Sequence, residues 1–181
     1  MSRKYKFKDT DEPYFVSFAI VNWIDVFTRR IYKDIFVENL NYCIEKKGLV
    51  VWGWVLMTNH VHIIISSTKE PLEDIMRDFK GFTAKSILKA IKENQQESRK
   101  EWLLWMFERA GKKNSNNKKY QFWQQHNQPI ILNNRTIFQQ KLNYIHNNPV
   151  EVGFVEKEED YLYSSARNYN EKRGLVNIQL A

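Results

Sequence analysis

Two histidines stand two residues apart in the run Val55-Leu56-Met57-Thr58-Asn59-His60-Val61-His62-Ile63-Ile64-Ile65. The β-branched and apolar neighbours read as a strand, whose side chains alternate between faces, so His60 and His62 share one face with Ile64 and Ser66 while Val61, Ile63 and Ile65 occupy the other. Neutral imidazole is a common metal ligand, and a strand holds two rings side by side more rigidly than a loop does. The spacing is met equally by two histidines that share no ligand, and by itself it names neither a third ligand nor a reaction. A second pair lies far downstream. Tyr144 and Asn148 fall one helical turn apart, on the border of a stripe formed by Phe138, Leu142 and Ile145. Pro149 biases Asn148 away from the helical region, which ends a helix there and frees its amide to turn outward. A core-edge tyrosine followed by a C-capping asparagine fits the same spacing.

The elements that must carry these residues are legible in order. Tyr14 to Val21, aromatic and β-branched after Pro13, predicts a first strand. From Arg29 to Lys47 the residues Ile31, Ile35, Phe36, Leu40, Cys43 and Ile44 recur at helical spacing, and Gly48 is the stop signal. Leu49 to Met57 predicts a second strand, joined by a tight turn at Thr58-Asn59 to the histidine strand as an antiparallel neighbour. After Pro71, with Glu73 and Asp74 in the first turn, Leu72, Ile75, Met76, Phe79, Thr83, Ile87 and Ile91 mark a long helix to about Lys92. Its other side carries Arg77, Lys80, Lys85 and Lys89, either a solvated face or a ridge turned to phosphates. Trp102 to Phe107 fits a short helix or a strand. Gly111 to Lys119 has no apolar residue and reads as a flexible loop. Tyr120 to Trp123 reads as the last strand of the sheet, and Asn133-Asn134 as the cap of a helix over Arg135 to Asn147.

The 181 residues suffice for one domain over 1–181, with a basic arm at 1–12, the loop at 111–119 and a C-terminal tail at 170–181. Lys and Arg total 28 against 21 Asp and Glu, a formal net charge of +7 that favours a polyanionic partner. One cysteine, Cys43, excludes an internal disulfide and a cysteine-rich zinc site and fits a reducing compartment. The longest apolar run, Leu49 to Met57, is too short to cross a bilayer, and the first eight residues lack the apolar segment of a signal peptide. A cytoplasmic protein without membrane attachment is expected.

The ordered set of motifs resembles the REP-associated tyrosine transposases, a single-tyrosine branch of the HUH nuclease superfamily. Met57-Thr58-Asn59-His60-Val61-His62 resembles the histidine-hydrophobe-histidine motif, Phe79-Lys80-Gly81-Phe82-Thr83 the helix that follows, and Phe122-Trp123-Gln124 the segment before the tyrosine helix. Tyr144-Ile145-His146-Asn147-Asn148-Pro149-Val150 resembles the nucleophile motif; Gly153-Phe154-Val155 and Asp160 to Ala166 resemble its downstream signature. The resemblance implies an α+β, ferredoxin-like antiparallel sheet, with helices packed on one face and the histidines on the other, where the tyrosine helix docks. It implies that His60, His62 and Asn148 hold one Mg²⁺ or Mn²⁺, and that Tyr144 attacks a phosphodiester of single-stranded DNA near a hairpin. The product would be a 5′-phosphotyrosine with a free 3′-hydroxyl, later rejoined without a nucleotide cofactor. His146 projects from another side of the helix and is not taken as a ligand; Tyr161, Tyr163 and Tyr169 are read as packing residues. Arg77, Lys80, Lys85 and His126 are the candidate DNA contacts. A silent nucleic-acid-binding module of the same fold, and a replication or conjugation nickase of the wider superfamily, are the alternatives. Monomer and homodimer both remain open.

Overall fold

The apolar alternation after Pro13 forms β1 (Tyr14–Ala19), followed by α1 (Arg30–Lys47), β2 (Leu49–Leu56), β3 (His60–Ser67) and α2 (Leu72–Glu93). Then come α3 (Lys100–Lys112), the two-residue β4 (Ile130–Ile131), α4 (Arg135–Glu151) and the short α5 (Ala166–Tyr169). This computed structural model describes residues 7, 12–114, 119–125 and 129–181. The four strands pair antiparallel in the order β2-β3-β1-β4. With α1 joining β1 to β2 and helices joining β3 to β4, this is the ferredoxin-like arrangement. Gly48 closes α1 in the left-handed conformation at φ 74°, which a glycine adopts without the penalty of a Cβ.

Period-two alternation decides which residues meet which helix. Phe18, Val61, Ile63, Ile65 and Trp54 face α1 and α2, where Phe36 packs on Phe79 and Trp54, and Phe79 on Phe18. Phe15, His60, His62 and Ile64 face the other way. On that side Phe138 of α4 packs edge-on against Trp52, and Leu142 and Ile145 come down over Gly53. Trp52 lies at an irregularity in the β2–β3 register, between Val51 and Gly53. A Cβ on Gly53 would lie 2.6 Å from Leu142 Cδ1, so the glycine leaves the space that this buried methyl group fills.

The free edge of β2 is covered. Leu56 N–H donates to Tyr163 O at 2.9 Å, Ser165 N–H to Trp54 O at 2.9 Å and Gln179 N–H to Val51 O at 2.8 Å. The C-terminal stretch is therefore no loose tail: Val176 is buried and Asn41 donates to Leu175 O. Covering an edge in this way satisfies its backbone groups and removes a template for pairing with another chain. Among the described residues no helix is long and apolar enough to cross a membrane.

Several elements differ from the sequence reading. β1 stops at Ala19 because the chain enters a 3-10 turn at Val21–Trp23. Trp102 to Phe107 is helical, with Leu103 and Phe107 buried on one side of α3. That helix takes in Gly111 and Lys112, so the loop begins later; residues 115–118 lie outside the described residues. Gly111 is buried against the Lys119 carbonyl, which leaves no room for a Cβ. Tyr120 to Trp123 is not the last strand. Phe122 and Trp123 bury their rings beside Phe107, Phe18 and Phe27, and only Trp123 forms a bridge, to Ile20. Ile130–Ile131 pair with β1 instead, because aromatic content reports a partly buried surface rather than a ladder. Asn134 caps α4 as expected, its Oδ1 accepting from Thr136 N–H at 2.7 Å. Pro149 does not end that helix, which runs on to Glu151. A proline so near the C-terminus removes only one intrahelical donor, and the chain is held by Val152 N–H on Asn148 O and Phe154 N–H on Pro149 O.

Candidate active site

The register of β1 and β3 sets small residues beside the histidines: Ala19 lies opposite His60 and Ser17 opposite His62. The two imidazoles stand with ring centroids 4.9 Å apart. His60 Nδ1 lies 2.7 Å from Asn59 Oδ1, and since a carbonyl oxygen only accepts, Nδ1 carries the proton and Nε2 keeps its lone pair. The Asn59 amide is itself oriented, its Nδ2 donating to Asp25 Oδ1 at 2.9 Å.

α4 brings Tyr144 onto this pair. Its hydroxyl is 3.3 Å from His62 Nε2, its ring meets His62 at 5.0 Å between centroids, and it keeps 42% of its surface exposed. Phe15 completes the cluster, stacked on His62 at 5.6 Å and edge-on to Tyr144 at 6.1 Å. Asn148, one turn after Tyr144, is buried rather than turned outward. Its amide lies close enough to His60 to favour the charged imidazole, yet no hydrogen bond of good geometry reaches Oδ1. His62 Nδ1 is likewise buried without a partner.

Burial holds both imidazoles neutral. It lowers the His60 pKa against the opposing pull of Asn148 and Asp25; at His62 burial, then the nearby His60 and Lys141 charges, push the value down to about 3. At neutral pH both rings therefore present lone pairs. Two neutral imidazoles and an amide oxygen, two of the three carrying a buried polar atom with no partner, are a donor set that fits a divalent cation of mixed nitrogen and oxygen preference. Among the described residues no three His, Cys, Asp or Glu side chains converge, so no cysteine or carboxylate-based cluster competes.

The family model described as "Transposase IS200 like" matches residues 18–108, just over half of the chain. The chain belongs to the IS200-like transposase family. The match takes in β2, β3 and both histidines; Tyr144 and Asn148 lie beyond its end. A solved REP-associated tyrosine transposase bound to a REP hairpin superposes on this transposase with a TM-score of 0.68 at 16% identity, covering 100% of this chain and 92% of that one, and so shares its fold. A candidate transposase from Deinococcus radiodurans R1 aligns at 18% identity over 81% of this chain and 95% of that one, with a TM-score of 0.47. Among curated proteins none matches the sequence.

The structure thus assembles His60, His62, Tyr144 and Asn148, and leaves the other candidates elsewhere. His146 is buried on a different side of α4, its Nε2 2.8 Å from Ser165 Oγ. Tyr161 and Tyr169 donate to backbone carbonyls of β2 and Tyr163 to Asp34, and burial pushes Tyr161 and Tyr163 up to about 12. Arg77 pairs with Asp74 and Asp78; Lys80 lays its ammonium over the Phe18 ring at 5.1 Å; Lys85 is exposed. All three sit on α2, across the sheet from Tyr144. His126 lies outside the described residues. The sequence reading missed Lys141, whose ammonium is 4.9 Å from the Phe15 ring centroid and 5.9 Å from that of Tyr144. Its place three residues before Tyr144 on one helix was the available signal. Asn59 and Asp25 were missed as well, and nothing in the spacing of those two announces a shared hydrogen bond.

Proposed function

We infer that this transposase is a metal-dependent enzyme of the REP-associated tyrosine branch that cuts and rejoins single-stranded DNA near hairpins. The reading is carried by one observation: the Tyr144 hydroxyl lies 3.3 Å from His62, on a site where His62 Nδ1 and Asn148 Oδ1 are buried and unsatisfied. The bound REP hairpin of the solved relative supports DNA of that form as the partner. His60, His62 and Asn148 would hold Mg²⁺ or Mn²⁺, the mixed donor set suiting Mn²⁺ well. When bound, such an ion supplies Lewis-acid polarisation of the scissile phosphate.

Tyr144 Oη attacks phosphorus in line and gives up its proton to solvent, a bond forms from Oη to phosphorus, the bond to the 3′-oxygen breaks, and that oxygen takes up a proton from solvent as a 3′-hydroxyl. Its reverse attack on the 5′-phosphotyrosine reseals a strand, and since the bond energy is retained, no nucleotide is consumed. A phenol titrates near pH 10 when unperturbed, so its attack depends on stabilising the charge that develops. Lys141, beside both Tyr144 and Phe15, places a second positive charge there. Asn59 keeps the lone pair of His60 Nε2 available, and the Phe15 ring backs His62 against rotation. The protein works in the cytoplasm, as a monomer or homodimer.

Incubating the protein and Mn²⁺ with a hairpin deoxyoligonucleotide is expected to give a covalent adduct, absent in chelator. Tyr144→Phe is expected to abolish the adduct completely while binding of the oligonucleotide persists. An adduct that survives in this variant overturns the assignment, and binding with no adduct from the unaltered protein favours a silent binding module.

A further inference from the structure

Trp23 is 58% exposed, yet its backbone is held in a conformation that costs energy. Asn22 and Trp23 are consecutive non-glycine residues at φ 56° and 55°, a left-handed pair that bulky side chains rarely adopt. The turn is pinned on several sides. Val21 N–H donates to Phe122 O at 2.8 Å, Trp23 N–H to Ile20 O at 3.0 Å, and Asn59 Nδ2 to Trp23 O at 3.3 Å. These bonds do not bury the indole. They fix it in solvent beside the site, its ring edge-on to His60 with centroids 5.8 Å apart. The other strongly exposed tryptophans, Trp102 and Trp105, are on α3, and Trp105 is already covered by the Arg109 guanidinium at 5.2 Å. Among the described residues Trp23 is the exposed tryptophan in ring contact with a site histidine.

We propose that Trp23 is the stacking platform for an unpaired nucleobase of the DNA strand adjoining the scissile phosphate. The proposal rests on the reading of His60, His62 and Tyr144 as the cleavage site. A flat, rigid, exposed indole offers the face that every base can stack on, whatever its identity. Its contact with His60 keeps the stacked base within about one nucleotide of a phosphate over the histidines. Because Asn59 holds both His60 Nδ1 and the Trp23 carbonyl, the platform and the imidazole are fixed to one side chain and keep a constant spacing. Backbone strain maintained by surrounding bonds next to a reactive cluster is the pattern expected of a preorganised subsite.

The test uses full-length protein in the Tyr144→Phe background, so that binding is read without cleavage. The probe is a hairpin deoxyoligonucleotide with single-stranded thymidine flanks, in which one abasic site is moved stepwise along each flank. Trp23→Ala is expected to weaken binding about tenfold, and Trp23→Phe to retain most of it. At one flank position the abasic site is expected to weaken the parent by a similar factor and to have no further effect on Trp23→Ala. Unchanged affinity in Trp23→Ala, or abasic losses that simply add to it at every position, overturns the platform. Thermal melting of each variant separates lost stacking from lost folding, and Trp23→Phe serves as the reference should the alanine variant melt early. Coupling between Trp23 and one base in a protein that forms no Tyr144 adduct would keep the platform and remove the cleavage reading. Adduct formation without coupling would do the reverse.

Discussion

On the face of the sheet covered by α1 and α2, Phe36 meets Phe79 at 5.2 Å and Trp54 at 6.5 Å between ring centroids, and Phe79 meets Phe18 at 6.5 Å. On the face covered by α4, Phe15, His62 and Tyr144 contact one another over similar distances. The geometry is alike and the chemistry is not. On the first side, sheet and helices together, the buried side-chain polar atoms without a partner among the described residues are the Trp54 indole nitrogen on β2 and Asn41 Oδ1 on α1; on the second, His62 Nδ1 and Asn148 Oδ1 share one site. Burying such groups is unfavourable, so α4 must be held down by something else. Phe138, Leu142 and Ile145 do this over Trp52 and Gly53, interleaved along α4 with Tyr144 and Asn148. The difference teaches that one face supplies stability and the other tolerates a local deficit that a ligand can relieve.

That division can be broken experimentally. Phe36→Ala empties the centre of the first face, where the ring is fully buried, and is expected to cost about 3–5 kcal/mol in urea unfolding. Mn²⁺ affinity of the protein that remains folded should be unchanged, and a matching loss of affinity would mean that the faces are not independent. Acid should act from the opposite side. The described histidines all lie on or face α4, and burial sets His62 to about 3 and His146 to about 4, below the ordinary value. Between pH 6.5 and 4 the unfolded chain binds protons that the folded chain refuses, so stability is lost as pH falls through that window. The loss is roughly 3 kcal/mol from His146 alone, measurable as a falling urea midpoint in the presence of chelator. A flat profile across those pH values would show that the imidazoles are not buried neutral.

Finer changes separate the site from its support. Asn59→Ala removes the acceptor that fixes the His60 tautomer and is expected to weaken Mn²⁺ binding about 10–100-fold, with little change in melting temperature. In the metal-free protein, nitrogen NMR of the His60 ring should show the Nδ1 proton shifting toward Nε2 in this variant. The smallest effect on folding is expected at Asn148→Leu. Replacing an unsatisfied buried amide by an apolar group of similar volume should leave stability within about 1 kcal/mol of the starting protein, or raise it, while Mn²⁺ binding is lost. A large destabilisation would mean that the Asn148 amide has a structural partner after all.

The sequence carried the ladder and the stripe of α2 well, whereas in α1 the expected Ile31 is exposed and Tyr32 and Val37 are buried instead, and β3 is buried on both faces because helices cover both. It misplaced the fourth strand, since Phe122 and Trp123 have strand-like composition but are drawn into the core by ring packing that no local pattern encodes. It also stopped α4 too early at Pro149, where backbone hydrogen bonds beyond the proline carry the helix onward. That His60 and His62 share a face followed from period two alone. That Tyr144 and Asn148 would meet them was implied by resemblance, because contact between a helix and a strand so distant in sequence depends on docking. Lys141 sat on the readable face of α4 and was overlooked; Trp23 was hidden by a left-handed turn that its residues do not favour.

Gly53 gives the arrangement a mechanical character. The absence of one methyl group on β2 leaves a notch that receives Leu142 Cδ1, on the same helix that carries Tyr144 to within 3.3 Å of His62. It works as a keyway: a gap in one strand receives a tooth of the helix above, so that the nucleophile's helix is located by a fit made apart from the reacting atoms.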